Sequence, residues 1–426
     1  MDNHYQHIIL ATIFIMIISC KNIEQSQSNP GEVNAEFLLG NPDYPAISYG
    51  GYRKDTREIQ PTSAELKEDL RILSAMGIKI LRTYNVHLEE ASNLLQCIRE
   101  LKEEEPGFEM YIMLGAWIDC KNAWTNLPLD HNAESERNEM EIRKAVELTQ
   151  QYPDIVKIIA VGNEAMVKWA TLYYVQPWII LKWVQHLQEL KRQGQLPKDL
   201  WITSSDNFAS WGGGSDDYHT KELTELIHAV DYISLHTYPM HDTHYNPQFW
   251  GILPEEDHLT DREKIHQAME RAVNYAIHQY NSVVAYMKSL GVNKPVYIGE
   301  TGWASYSNEH YGKDGSKATD EYKSGLFYQM MTDWCQSNGV TCFYFEAFDE
   351  KWKDSANPGG SENHFGLINL KSQAKYALWD LVDKGIFEGL TRDGRPITKT
   401  YRGKLDSLWQ DVQLPPFMEN IQMIEL

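Results

Sequence analysis

Apolar residues along this chain fall into short unbroken runs that alternate with longer stretches in which they recur every three or four positions. The short runs predict strands at Ala46–Tyr52, Ile78–Asn85, Glu109–Asp119, Ile155–Glu164, Leu200–Asn207, Val230–Pro239, Pro295–Ala304 and Thr341–Glu350. The periodic stretches predict helices at Thr62–Ala75, Leu88–Glu104, Glu134–Gln151, Leu172–Arg192, Asp261–Leu290 and Asp320–Ser337. Pro61-Thr62-Ser63-Ala64-Glu65 reads as a helix start, with Thr62 as cap and Glu65 three residues on. A run such as Ile158-Ile159-Ala160-Val161 has no in-and-out alternation, which suits a parallel sheet covered on both faces. Eight strand–helix alternations predict a closed (β/α)8 TIM barrel in a single domain, over residues 45–410, in preference to an open doubly wound sheet. No glycine-rich phosphate loop follows the first strand, which counts against a nucleotide fold.

A chain of 426 residues accommodates one such barrel with insertions, and no Gly/Ser- or Pro-rich linker divides it internally. The formal net charge of −21 opposes binding to a phosphate backbone, so nucleic acid is excluded as a partner, whereas a neutral glycan is indifferent to that field. The 13 Trp and 24 Tyr suit a sugar cleft, where a flat apolar ring with a polar edge meets the face of a pyranose.

The amino terminus reads as an address. Ile8 to Ile18 is apolar but too short to span a bilayer, and it stops at Ile17-Ile18-Ser19-Cys20. This resembles a bacterial lipoprotein signal in residues 1–20, which implies lipidation of Cys20 and a place in the exported cell envelope. Asp2, His4 and His7 stand where Lys or Arg is usual, so an ordinary cleaved signal and a secreted product stay open. Residues 21–44 read as a flexible tether and 411–426 as a C-terminal tail. Besides Cys20 there are Cys97, Cys120, Cys335 and Cys342; free buried thiols are expected, since a chain of this size needs no staples, and none has zinc-type spacing.

The chemistry sits in two strings. Val161-Gly162-Asn163-Glu164 and Gly299-Glu300-Thr301-Gly302-Trp303 each leave one glutamate where a strand ends, about 136 residues apart. Cleaving an acetal with retention takes one carboxyl group to protonate the leaving oxygen and a second carboxylate to attack the sugar carbon, and a barrel presents such groups at the carboxyl ends of its strands. The two carboxyl groups are then expected about 5–5.5 Å apart, against roughly 6.5–9.5 Å for an inverting pair.

With Tyr49-Gly50, Leu81-Arg82-Thr83-Tyr84, Phe345-Glu346-Ala347-Phe348-Asp349-Glu350 and Asn363-His364-Phe365-Gly366-Leu367, these strings make the chain similar to glycoside hydrolase family 17, in its fungal and bacterial branches. That resemblance implies a β-1,3-glucanase that takes laminarin-like β-1,3-glucan, with Glu300 as nucleophile and Glu164 as acid/base. A glucanosyltransferase would use the same residues, and a glycan-binding lipoprotein that has kept the fold is a third reading. The resemblance implies no cofactor, and a monomer is expected. Ala304 replaces the proline usual after the Glu-Thr-Gly-Trp string, and the stretch from Met240 to His258 is longer than the family leads one to expect.

Around the pair, Arg82 and Tyr238 are candidates to hold the nucleophile, and Asn163 to donate to a sugar 2-hydroxyl. Trp303 is expected to floor the cleft, with Tyr84, Trp117, Trp124, Trp211, Phe348 and Trp352 as further walls. Tyr49, Asn207 and His236 complete the candidate lining; Glu350 is assigned to glucose hydroxyls or to its own turn, and Glu346 to the support of Arg82. His236, His241 and His244 lie close in sequence but lack a metal-type spacing.

Overall fold

The computed structural model of the protein describes residues 33–418. Eight parallel strands close into a barrel: β1 (Ala46–Ser48), β2 (Ile80–Arg82), β3 (Tyr111–Ala116), β4 (Val156–Asn163), β5 (Trp201–Asn207), β6 (Ile233–His236), β7 (Val296–Thr301) and β8 (Cys342–Tyr344). Each pairs with its sequence neighbours, and β1 closes on β8 through Ala46 opposite Phe343. All six residues of β3 are buried, as are Val156–Gly162 in β4, because helices cover the outside while side chains fill the inside.

Helices follow the strands: α1 (Ser63–Ala75), α2 (Glu89–Glu104), α3 (Arg137–Gln151), α4 (Pro177–Arg192), α5 (Lys221–Ala229), α6 (Asp261–Ser289) and α7 (Glu321–Ser337), six of them where periodicity places them and α5 not among those expected. The capping box at α1 forms as read from the sequence, Thr62 Oγ1 accepting from the Glu65 amide at 3.2 Å and Glu65 Oε2 accepting from the Thr62 amide at 2.8 Å.

Three expectations are corrected. The strands are shorter than their expected runs, and the residues lost at either end belong to the flanking loops. Glu134 opens no helix; it ends an antiparallel hairpin, Cys120–Lys121 with Asp130–Glu134, that grows from the β3 loop. The tether and tail also lose their described portions to the barrel. Ala35–Leu38 is a helical turn with both end residues buried, and Gly40 donates to Thr341 Oγ1 at 2.7 Å. Gln413 donates to Asp320 Oδ2, and Met418 to the Ile252 carbonyl at 2.9 Å. The signal segment and Cys20 lie outside the described residues, and among those described no helix is long and apolar enough to cross a membrane. Cys97, Cys120, Cys335 and Cys342 are free and buried.

Candidate active site

Glu164 and Glu300 meet at the carboxyl-end mouth of the barrel, around His236. The His236 Nδ1 atom lies 3.2 Å from Glu164 Oε1 and 3.7 Å from Glu300 Oε2. Glu164 Oε1 and Glu300 Oε2 are therefore no further apart than those two legs laid end to end, short of all but the lower edge of the roughly 6.5–9.5 Å that an inverting pair needs.

Backbone conformation delivers Glu164 to this place. Gly162 has φ +81° and Glu164 itself φ +46°, a left-handed value uncommon for a residue with a Cβ, and the Glu164 amide donates to the Ser205 carbonyl at 3.0 Å. Asp206, buried on β5, fixes the chain just beyond Glu164: its Oδ2 accepts from the Met166 amide at 2.7 Å and its Oδ1 from Ser210 Oγ at 2.6 Å.

Environment then separates the two carboxyl groups. Burial, and after it the negative charge of Glu300, pushes Glu164 up to about 8, so it holds its proton at neutral pH. Burial would raise Glu300 too, but the His236 ring and the Arg82 charge, with hydrogen bonds from Tyr238 and Arg82, outweigh this and hold it below the usual carboxylate range. Arg82 donates to Glu300 Oε2, and the Tyr238 hydroxyl donates to Oε1 at 2.5 Å. Burial pulls His236 down to about 4, so at neutral pH the ring is uncharged while the guanidinium beside Glu300 keeps its charge. His236 is held from behind by Ser205 Oγ, 2.8 Å from Nε2, which in turn meets Ser234 Oγ at 2.9 Å. Proton donor and ionised carboxylate stand side by side, which is the division of labour of acetal hydrolysis.

Arg82 spends its second terminal nitrogen on Asn163 Oδ1. With that oxygen occupied, the amide nitrogen of Asn163 is the group left to face a ligand. Nearby, the Tyr84 hydroxyl, Glu346 Oε1 and the Trp352 indole nitrogen are buried without a protein partner, the condition that ligand hydroxyls relieve.

Other candidates fall elsewhere. Trp303 does not floor the cleft: it is fully buried, packs on Trp250 and Phe327, and gives its indole N–H to the Ala318 carbonyl at 2.9 Å. Trp211 is likewise buried and donates to the Ser234 carbonyl. Phe348 lies in the core under the Arg392 guanidinium, Tyr49 donates to buried Asp69, and Asn207 Oδ1 accepts from the Ala209 amide in its own turn. Glu346 supports Lys353, at 2.9 Å, and leaves Arg82 to Glu300. Glu350 takes the turn alternative, accepting from the Tyr52 amide at 3.2 Å and pairing with Lys353 at 3.3 Å. Its carboxylate would lie 2.8 Å from any Cβ at residue 50, which is why Gly50 stands there. His241 bonds Tyr311 and His244 stacks on His310; neither joins His236.

Sequence reading missed Ser205, Ser234, Asp206 and Lys353. A signal existed for the strand β5 pair: Thr203-Ser204-Ser205-Asp206 is a polar string inside a strand that is buried almost throughout, and buried polar groups need partners.

Comparison with known proteins agrees with this geometry. Residues 46–366 match the BtgE/BtgC glycoside hydrolase domain. The chain is 24% identical over 380 residues to a probable glucan endo-1,3-beta-glucosidase btgC of Aspergillus flavus, covering 84% of this chain and 48% of that protein, so it spans about half the length of the curated relatives it matches. Among solved structures it is similar to an endo-laminarinase from Formosa Hel1_33_131, with 63% identity, a TM-score of 0.91 and coverage of 92% of this chain and 99% of that one. The barrel is also shared with a family 17 beta-1,3-glucanosyltransferase from Rhizomucor miehei, at 18% identity, a TM-score of 0.54 and coverage of 79% and 96%. From its strand-end glutamates to its full barrel, the chain belongs to the BtgE/BtgC glycoside hydrolase family.

Proposed function

We propose that this protein is a retaining hydrolase of β-1,3-glucosidic bonds, with Glu300 as nucleophile and Glu164 as acid/base. The observation that carries the reading is the pair itself: two carboxyl groups on either side of His236, one kept protonated and the other kept ionised. Likeness to a probable glucan endo-1,3-beta-glucosidase and to an endo-laminarinase supports β-1,3-glucan as the substrate.

In the first step an oxygen of Glu300 bonds to the anomeric carbon while the bond to the leaving sugar oxygen breaks, and Glu164 gives that oxygen its proton. In the second, water attacks the same carbon, Glu164 takes the water's proton, and the Glu300 ester bond breaks. Arg82 and Tyr238 hold Glu300 in place, and Asn163 offers its amide nitrogen to the sugar 2-hydroxyl. If a sugar hydroxyl replaces water in the second step, the product is a longer glucan and the same residues serve.

Release of reducing ends from laminarin, followed by proton NMR of the first-formed anomer, tests the reading. The β-anomer is expected; the α-anomer would mean inversion, and no release would leave a binding protein. We further propose, from the segment Ile8–Cys20, that the protein is exported and lipid-anchored at Cys20, which metabolic labelling with a fatty acid and its loss in Cys20→Ala would test.

A further inference from the structure

Trp124 and Leu127, on the hairpin after β3, and Trp169 and Leu172, on the loop after β4, are large apolar side chains left exposed. The innermost part of that surface is aromatic. Tyr173 stacks on Trp124 at 5.4 Å and 21°, and Trp117 lies 5.2 Å from Tyr173. Trp124 remains 54% exposed.

Two features separate this surface from incidental apolar exposure. First, Trp124 is fixed. It has φ +62°, a strained value for a bulky residue, and its indole nitrogen donates to Asp119 Oδ2 at 3.1 Å, a carboxylate that Arg137 also holds at 2.8 Å. An exposed ring held by strain and a buried carboxylate is preorganised to receive something. Second, the surface is continuous with the carboxylate pair. Tyr173 sits on the loop that Glu164 begins; the Val175 amide returns to the Ala165 carbonyl at 2.6 Å, and the Cys120 amide joins the hairpin to Tyr173 at 3.0 Å.

The direction follows from the roles of the two glutamates. The acid stands on the leaving-group side of the bond being cut, and the nucleophile on the glycone side. The rings belong to the acid's own loop and the hairpin beside it. The groups that hold the nucleophile, Arg82 and Tyr238, come instead from β2 and the end of β6. We propose that Trp124 and Tyr173, backed by Trp117, form a binding site for glucosyl units on the leaving-group side of the glucan chain, and that this site sets where along a chain the protein cuts.

The inference rests on the retaining β-1,3-glucanase reading, and its test separates the two. Laminarihexaose labelled with ¹⁸O at its reducing end is digested by the full chain and by Trp124→Ala, and the labelled products are sized by mass spectrometry. Loss of the platform is expected to shift the cut toward the reducing end, giving shorter labelled products. The ratio of kcat/KM for hexaose to that for tetraose should fall about tenfold, the size of effect that losing one aromatic anchor has. Trp124→Leu keeps apolar bulk without a flat face, and should shift the pattern the same way if the alanine variant does not fold. An unmoved pattern in a folded variant, or a shift toward longer labelled products, overturns the site while leaving the glucanase reading intact. Failure of the unsubstituted protein to release reducing ends from laminarin removes both.

Discussion

Glu300 and Asn163 are tied to opposite terminal nitrogens of one guanidinium, that of Arg82. One side chain thus sets both the proposed nucleophile and the amide proposed to meet the sugar 2-hydroxyl. Lysine offers a point charge without the fork, so Arg82→Lys should keep the fold yet lower kcat by about 10²–10³, the range for loss of a preorganised donor. Steady-state kinetics on laminarin check this, and a fall confined to KM would mean that Arg82 only binds substrate.

The pH profile of kcat/KM should be a bell. Its acid limb reflects protonation of Glu300, which lies below the usual carboxylate value, and its alkaline limb reflects loss of the proton from Glu164, near about 8. Tyr238 donates to the ionised form of Glu300 and so lowers its pKa; Tyr238→Phe removes that donor and should move the acid limb to higher pH. An acid limb that stays put would assign that limb to another group.

Glu300→Ala should abolish turnover of laminarin, while added azide restores cleavage of an activated aryl glucoside with formation of the α-glycosyl azide. Glu164→Ala should lose laminarin but retain turnover of aryl substrates whose leaving group needs no proton, with azide giving the β-glycosyl azide. Thin-layer chromatography and NMR of the azide products distinguish the two, and exchanged stereochemistries would exchange the roles.

Trp303 adjoins the nucleophile in sequence but lies in the core, so its replacement should act on stability. Trp303→Ala should destabilise the fold by about 3–5 kcal/mol, read from the denaturant midpoint. An unchanged midpoint with a raised KM for laminarin would put the ring back in the cleft.

Trp303 also shows where sequence reading stops. The barrel was legible because its strands are unbroken apolar runs, and the two glutamates because a charge ending such a run has one place to go. Which way a ring beside them turns depends on what other chain segments bring to it. Trp250 and Phe327 claim Trp303, Arg392 covers Phe348, and Asp69 takes the Tyr49 hydroxyl, all partners distant in sequence. Lys353 was missed although its partners are near in sequence, since its meaning lies in the two carboxylates, Glu346 and Glu350, that the loop after β8 folds onto it. The end of the aromatic hairpin was read as the start of a helix, because the polar residues before α3 carry a helical pattern that β-pairing with Cys120–Lys121 overrides.

The left-handed backbone at Glu164 means that the site is held against the local preference of its own chain. A residue with a Cβ at φ +46° is disfavoured, and its carboxyl group is half-buried where a charge is unwelcome. Glycine accepts that backbone freely and buries no carboxyl, so Glu164→Gly should melt at a temperature equal to or above that of the unsubstituted protein while losing its power to protonate a leaving group. Selection for thermal endurance alone would then not preserve a glutamate at this position.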